Sequence, residues 1–136
     1  MNVGKAIYGK LSADSTLTGL LATTTSIYPD VAPQGAANPC IVYSESTGDF
    51  TDNKDGVSPT DINIVQIDVY TQTVALRKQI SDRVRTVLDR MTGTYNNIII
   101  QGCKLIYSTS TIENYNDKTD TKIYRQSMDF QVRQNN

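Results

Sequence analysis

The segment from Ile27 to Asp49 constrains the fold of this chain more than any other stretch. It places three prolines between two short runs that are rich in β-branched and aromatic residues. Proline has no backbone N–H and fixes φ, so the segment is incompatible with a helix interior and with a central strand. The pattern predicts a short strand at Ile27–Tyr28, a loop, and a longer strand from Cys40 to Thr47.

Three further strands are expected in the rest of the chain. Residues 61–71 alternate apolar and polar side chains, which predicts a strand with one buried face. Residues 98–109 and 122–132 have similar patterns, and Gly102 is a candidate for a β-bulge. The polar residues from Gly48 to about Thr60 predict a loop, and we expect residues 133–136 to fray because no apolar side chain docks them.

Helical periodicity occurs in three places. The strongest helix pattern covers Thr73–Met91 and has Gly93 as its stop signal. A weaker pattern covers Asn2–Leu11, and a short helix is expected around Leu17–Leu21 with Asp14 or Ser15 as its N-cap. Apolar residues of the long helix form one arc that we interpret as a core face: Leu76, Ile80, Val84, Val87, Leu88 and Met91.

These elements predict a single α+β domain over residues 1–136. The most economical arrangement is an antiparallel sheet of about four main strands with the long amphipathic helix packed on it, together with the N-terminal helices. Some parallel pairing is left open. We expect residues 48–60 to form a flexible polar arm because they are rich in glycine, proline and short polar residues.

The composition argues against most kinds of chemistry. The chain has no histidine, which removes the commonest general base and transition-metal ligand. Residues 51–62 imitate a calcium loop, but Ile62 stands where a bidentate glutamate is required. Cys40 and Cys103 are expected to be reduced and half-buried. We therefore expect no enzyme activity, no cofactor and no metal, and the short apolar runs predict no membrane contact.

Charges are unevenly distributed although the net charge is −1. The arm and its flanks carry Glu45, Asp49, Asp52, Asp55 and Asp61 against Lys54 alone. On the long helix, Arg83 and Arg90 fall on one stripe without an acidic neighbour on that stripe. Three interpretations of the stripe are open: a solvated face, a surface that receives acidic residues such as Asp49, Asp52 and Asp55 of another subunit, or a phosphate contact.

The order of motifs along the chain resembles the tail-completion and tail-terminator proteins of long-tailed bacteriophages. The resemblance covers nearly the whole chain and is carried by these runs: Ala6-Ile7-Tyr8, Pro33-Gln34-Gly35, Pro39 before Val42-Tyr43, Gln66-Ile67-Asp68-Val69-Tyr70, Tyr124-Arg125 and Asp129-Phe130. Cys40 stands where an aromatic residue is more usual in the family, and the acidic segment after Gly48 is long.

The resemblance implies a structural role in the virion neck. It implies a ring, usually of six subunits, on the head-proximal end of the tail tube. Such a ring stops tube polymerisation and offers a surface to the head. The implied partners are further copies of the chain, the tail tube protein and a head-completion or connector protein, with genomic DNA passing through the ring without sequence-specific binding. Alternatives are another neck component, such as a head-completion or connector-adaptor protein, and a nucleic-acid-binding accessory protein.

Overall fold

The computed structural model describes residues 3–23, 25–33, 36–53, 56–95, 97–116 and 121–135; for 46–53, 56–61, 113–116, 121 and 135 it describes the backbone alone. Within these ranges the chain forms three helices and six strands. The helices are α1 (Val3–Ser12), α2 (Ser15–Leu20) and α3 (Val74–Leu88). The strands are β1 (Ile27–Pro29), β2 (Cys40–Asn53), β3 (Gly56–Thr71), β4 (Gly93–Tyr95), β5 (Ile98–Asn116) and β6 (Thr121–Asn135).

The strands form one sheet in the order β1-β2-β3-β6-β5-β4. The pair β1–β2 is parallel and every other pair is antiparallel. The two central strands, β3 and β6, pair without interruption from Thr60–Asn135 to Thr71–Tyr124. By contrast, β2 and β5 carry register shifts, including extra residues at positions 46, 101 and 106, where two residues face one on the partner strand. The shift at Gln101 lies next to Gly102, the predicted bulge.

Two hairpins extend the sheet at opposite ends. At one end β6 stops opposite Thr60, so the β2–β3 hairpin continues past it with Asp52 paired to Val57. At the other end β3 stops opposite Tyr124, and the β5–β6 hairpin continues to the pair Asn116–Thr121. The ends of the sheet are therefore bounded by different hairpins.

All three helices contribute to a core on one face of the sheet. The buried apolar side chains of the helices are Val3, Ala6, Ile7, Leu11, Leu17, Ile80, Val84 and Leu88. They pack against alternate residues of the strands, among them Val65, Ile67, Val69, Met128, Phe130 and Val132. Gly4 allows α1 to approach β2 closely, because a Cβ there would lie 3.3 Å from the Tyr43 ring. The predicted apolar arc of the long helix is confirmed from Leu76 to Leu88, with Leu76 and Val87 partly buried at its edge, whereas Met91 is buried in the core but lies beyond the helix.

The helix ends are well defined by their local chemistry. Asp14 is the N-cap of α2, and Thr73 caps α3 by accepting a hydrogen bond from the Leu76 N–H at 3.2 Å. The prediction that the long helix reaches Met91 and stops at Gly93 is wrong. The helix ends at Leu88, and Arg90 adopts a φ of 65° just beyond it, a position where glycine is commoner. Gly93 belongs instead to β4, with a φ of 130°.

Several strand predictions also need correction. The residues described between 48 and 60 are strand rather than loop, since β2 runs to Asn53 and β3 begins at Gly56. The C-terminal residues do not fray as far as Asn135, because β6 is paired on both sides by Thr60 and Ile99. The sheet has six strands instead of about four, since the three-residue β4 was missed and β1 pairs in parallel. In each case pairing with a neighbouring strand outweighs the local composition.

Candidate subunit-interface surfaces

Arg83 lies within an ion pair of its own chain. Its Nε and Nη2 donate to the two carboxylate oxygens of Asp14 at 2.6 and 2.8 Å, in a bidentate arrangement. The hydrogen bond from Arg83 is the main reason that the pKa of Asp14 lies below its ordinary value. Asp14 also accepts from the Leu17 N–H at 3.3 Å, so one carboxylate caps α2 and ties it to α3. The helical wheel could not reveal this partner because Asp14 lies on a different element.

Arg90 does not share a helical stripe with Arg83, because it lies beyond the end of α3. Its backbone N–H donates to the carbonyl of Cys103 at 2.6 Å, and Asp89 accepts from the Leu105 N–H at 3.2 Å. Both bonds join the end of α3 to the outer edge of β5. The side chain of Arg90 is therefore exposed beside the sheet, and the expectation of a continuous Arg83–Arg90 stripe is wrong.

The two arginines thus belong to different surroundings. Arg90 instead lines an open depression at the β5 edge, which we call the cationic depression. It is lined by Arg90, Thr92, Gln101, Gly102, Cys103, Lys104, Gln131 and Arg133. None of its lining residues is acidic, and the ion pairs found among the described side chains do not include its three cations. Sequence reasoning missed Lys104 and Arg133 because they lie on strands far from Arg90 in sequence, and only the strand register brings them near it.

The acidic residues of the arm have a clear backbone position. Asp49 and Asp52 belong to β2, opposite Ile62 and Val57, and Asp55 lies outside the described residues. Glu45, at the base of the hairpin, has an internal role: its Oε1 accepts from the Gly4 N–H at 2.6 Å. A carboxylate at the first turn of α1 is favoured by the free N–H groups and the helix dipole. The hairpin from residue 49 onward therefore remains the candidate acidic surface.

The face of the sheet turned away from α3 carries a polar network around Asp68. The buried Asp68 carboxylate accepts from Ser127 at 2.6 Å and from Gln66 at 3.2 Å, and it pairs with Arg125 at 3.2 Å. Asp129 lies two residues further along β6. Burial, followed by the charge of Asp68, raises the pKa of Asp129. The network fixes these side chains across β3 and β6.

The cysteines, possible metal ligands and helix lengths of the described part of the chain also bear on its function. Both cysteines are free and buried, and burial raises the pKa of Cys40 to about 11 and that of Cys103 to about 12. Among the described residues, no group of three or more acidic or cysteine side chains is arranged to hold a metal ion. No helix within the described ranges is both long and apolar enough to cross a membrane.

Comparison with known proteins identifies the fold and then the family. A chain described as "Virion of native gene transfer agent (GTA) particle" has the same fold, with a TM-score of 0.70 and 22% sequence identity. The likeness covers 96% of this chain and 92% of that one. Comparison with curated protein sequences gives no match. The family "Tail completion protein gp17" matches residues 5–135, which is nearly the whole sequence.

The chain therefore belongs to the tail completion protein gp17 family. Membership confirms the resemblance found in the sequence and makes the protein a structural component of a phage-like virion tail.

Proposed function

We propose that this protein completes the tail by forming a ring, most simply of six subunits, on the head-proximal end of the tail tube. The ring stops further polymerisation of the tube and provides the surface to which the head is joined. The observation that carries this proposal is the family match over residues 5–135. The protein would assemble in the host cytoplasm and remain in the virion neck, with DNA passing through the ring without sequence-specific contacts.

The fold supports a ring because it separates two dissimilar charged surfaces. A closed ring needs two different complementary patches on each subunit, since every contact is heterologous. The acidic hairpin with Asp49, Asp52 and Asp55 is one such patch, and Arg90 belongs to an oppositely charged one on the other side of the sheet. Arg83, the other cation proposed for this contact, would have to share its guanidinium with Asp14.

Tail assembly in the presence and absence of this protein tests the proposal. Tails made without it should grow beyond their normal length and fail to join heads, and adding the purified protein should restore both. Electron microscopy should show a ring of density at one tail end that disappears when the chain is omitted. Tails of normal length that still lack heads would indicate the alternative role, that of a head-completion or connector-adaptor component.

A further inference from the structure

We propose that the cationic depression of one subunit receives the acidic β2–β3 hairpin of a second copy of this chain. This inference rests on the proposed ring and names the two surfaces that would meet at each contact. The cations that receive the acidic residues are then Arg90, Lys104 and Arg133, instead of Arg83 and Arg90 as the sequence suggested.

The charge of the depression calls for an anionic partner. Arg90, Lys104 and Arg133 are all exposed, and they line one shallow site in which none of the lining residues is acidic. Three like charges held together repel one another in the free subunit, and a carboxylate brought among them offsets that repulsion. The segment from residue 49 to 61 supplies Asp49, Asp52, Asp55 and Asp61 against Lys54.

The register of the sheet places the hairpin and the depression at the same end but on opposite sides. Arg133 pairs with Ile62 and Asn135 with Thr60, so the part of the hairpin before Thr60 extends past the strand that carries Arg133. The strands β2 and β5 are separated by β3 and β6. They are three strand spacings, roughly 14 Å, apart, which is too far for direct contact between their charged side chains.

This separation favours a contact between copies over one within the chain. A rotation about an axis roughly parallel to the strands brings the β2 side of one subunit beside the β5 side of the next. Asp49 and Arg133 then lie at the same height, because both pair with Ile62, and repeating the rotation closes a ring. DNA phosphate is the competing partner for such a cluster. The net charge of −1 and the presence of a matching acidic segment in the same chain favour the hairpin.

A charge exchange at tail ends tests the contact. The wild-type protein must first be seen to form rings that cap tails, which is the prediction of the proposed function. The K104E/R133E variant should lose most capped tails while its thermal unfolding midpoint stays near that of the wild type. The D49K variant should show the same loss. The chain that combines all three changes should recover capping. K122E, which alters an exposed lysine of β6 at the opposite end of the sheet, is the matched control and should cap normally.

The outcomes distinguish failure of the hairpin contact from failure of the proposed ring. Absence of wild-type rings would overturn both. Rings with wild-type frequency in K104E/R133E would overturn the contact and leave the proposed function standing. Loss without recovery in the combined chain would also overturn the hairpin as the partner. Weaker retention of K104E/R133E on DNA-cellulose would then identify phosphate as the ligand of the depression.

Chemical crosslinking gives an independent measurement of proximity. The D49C and K104C proteins would be mixed on tails and treated with a short bismaleimide, and the mixture should give covalent dimers that neither protein gives alone. The native cysteines contribute little because both are buried with raised pKa values. A mixture of D49C with K122C should remain monomeric. Equal crosslinking of the two mixtures would contradict the contact.

Discussion

Asp14 stabilises the subunit in two separable ways, as the N-cap of α2 and as the partner of Arg83. Asparagine keeps the N-cap acceptor but loses the charge, whereas alanine loses both. We expect D14A to lower the free energy of unfolding by about 1 kcal/mol more than D14N, the usual value of a cap. Urea denaturation at neutral pH measures the difference. Equal losses would show that the hydrogen bond to Leu17 contributes nothing.

The two arginines should respond differently to charge reversal. R83E places a carboxylate against Asp14 and should lower the thermal midpoint clearly. R90E changes an exposed side chain outside the core, so its effect on the free energy of unfolding should stay within about 0.5 kcal/mol. Thermal melts of the two single variants provide the comparison. A stable R83E protein would show that the Arg83–Asp14 pair is dispensable, and only then would the double variant R83E/R90E report on assembly alone.

At the scale of the elements, the ionised carboxylate of Asp129 destabilises the central strands. Its pKa is raised by burial and by Asp68, so ionising it is less favourable in the folded chain than in the unfolded chain. D129N should therefore stabilise the protein at neutral pH. The gain should shrink as the pH falls through the raised pKa and vanish below the ordinary value of 3.8. Urea midpoints from pH 3 to 7 test this, and D82N, a change at an exposed position of α3, is the control.

The β2–β3 hairpin is the element most directly linked to assembly. From Thr60 back towards Gly56 the strands of the hairpin pair only with each other in the free subunit, because β6 ends opposite Thr60. We expect amide hydrogen exchange in residues 50–59 to be faster than in the central part of β3 and to slow when the subunit joins a tail. The β5–β6 hairpin provides an internal comparison. Equal exchange in free and assembled protein would exclude the hairpin from the contact.

Strong periodicity made most elements predictable, whereas contacts between distant residues did not show in the sequence. Three or more turns of apolar repeat identified the core face of α3, and alternation identified the buried face of β3. The polar half of the hairpin was missed because cross-strand pairing forms its strands, and the residue types there do not reveal that pairing. The cationic depression was missed for a related reason. Its cations come from three separate segments, and only the register of β5 against β6 brings two of them together.

The whole molecule separates a rigid core from charged surfaces at its margins. If those surfaces hold the ring together, assembly should depend on ionic strength far more than folding does, because exposed charges are screened by salt. We expect capped tails to decrease between low and moderate salt, while the urea midpoint of the free subunit changes little. Tail capping that is insensitive to salt would point to apolar contacts between subunits.

The uneven distribution of β-bulges has a consequence for the subunit before it meets a tail. The central pair β3–β6 is regular, whereas the register shifts fall on β2 and β5, each of which pairs on its outer side with only a three-residue strand. Open edges of this kind are templates for aggregation, and a bulge twists the edge so that a second strand cannot pair along its length. The irregular edges therefore protect a pool of free subunits from joining edge to edge. Restoring regular pairing, for example by deleting Ile106 from β5, should make the protein more prone to aggregate even where it folds more tightly.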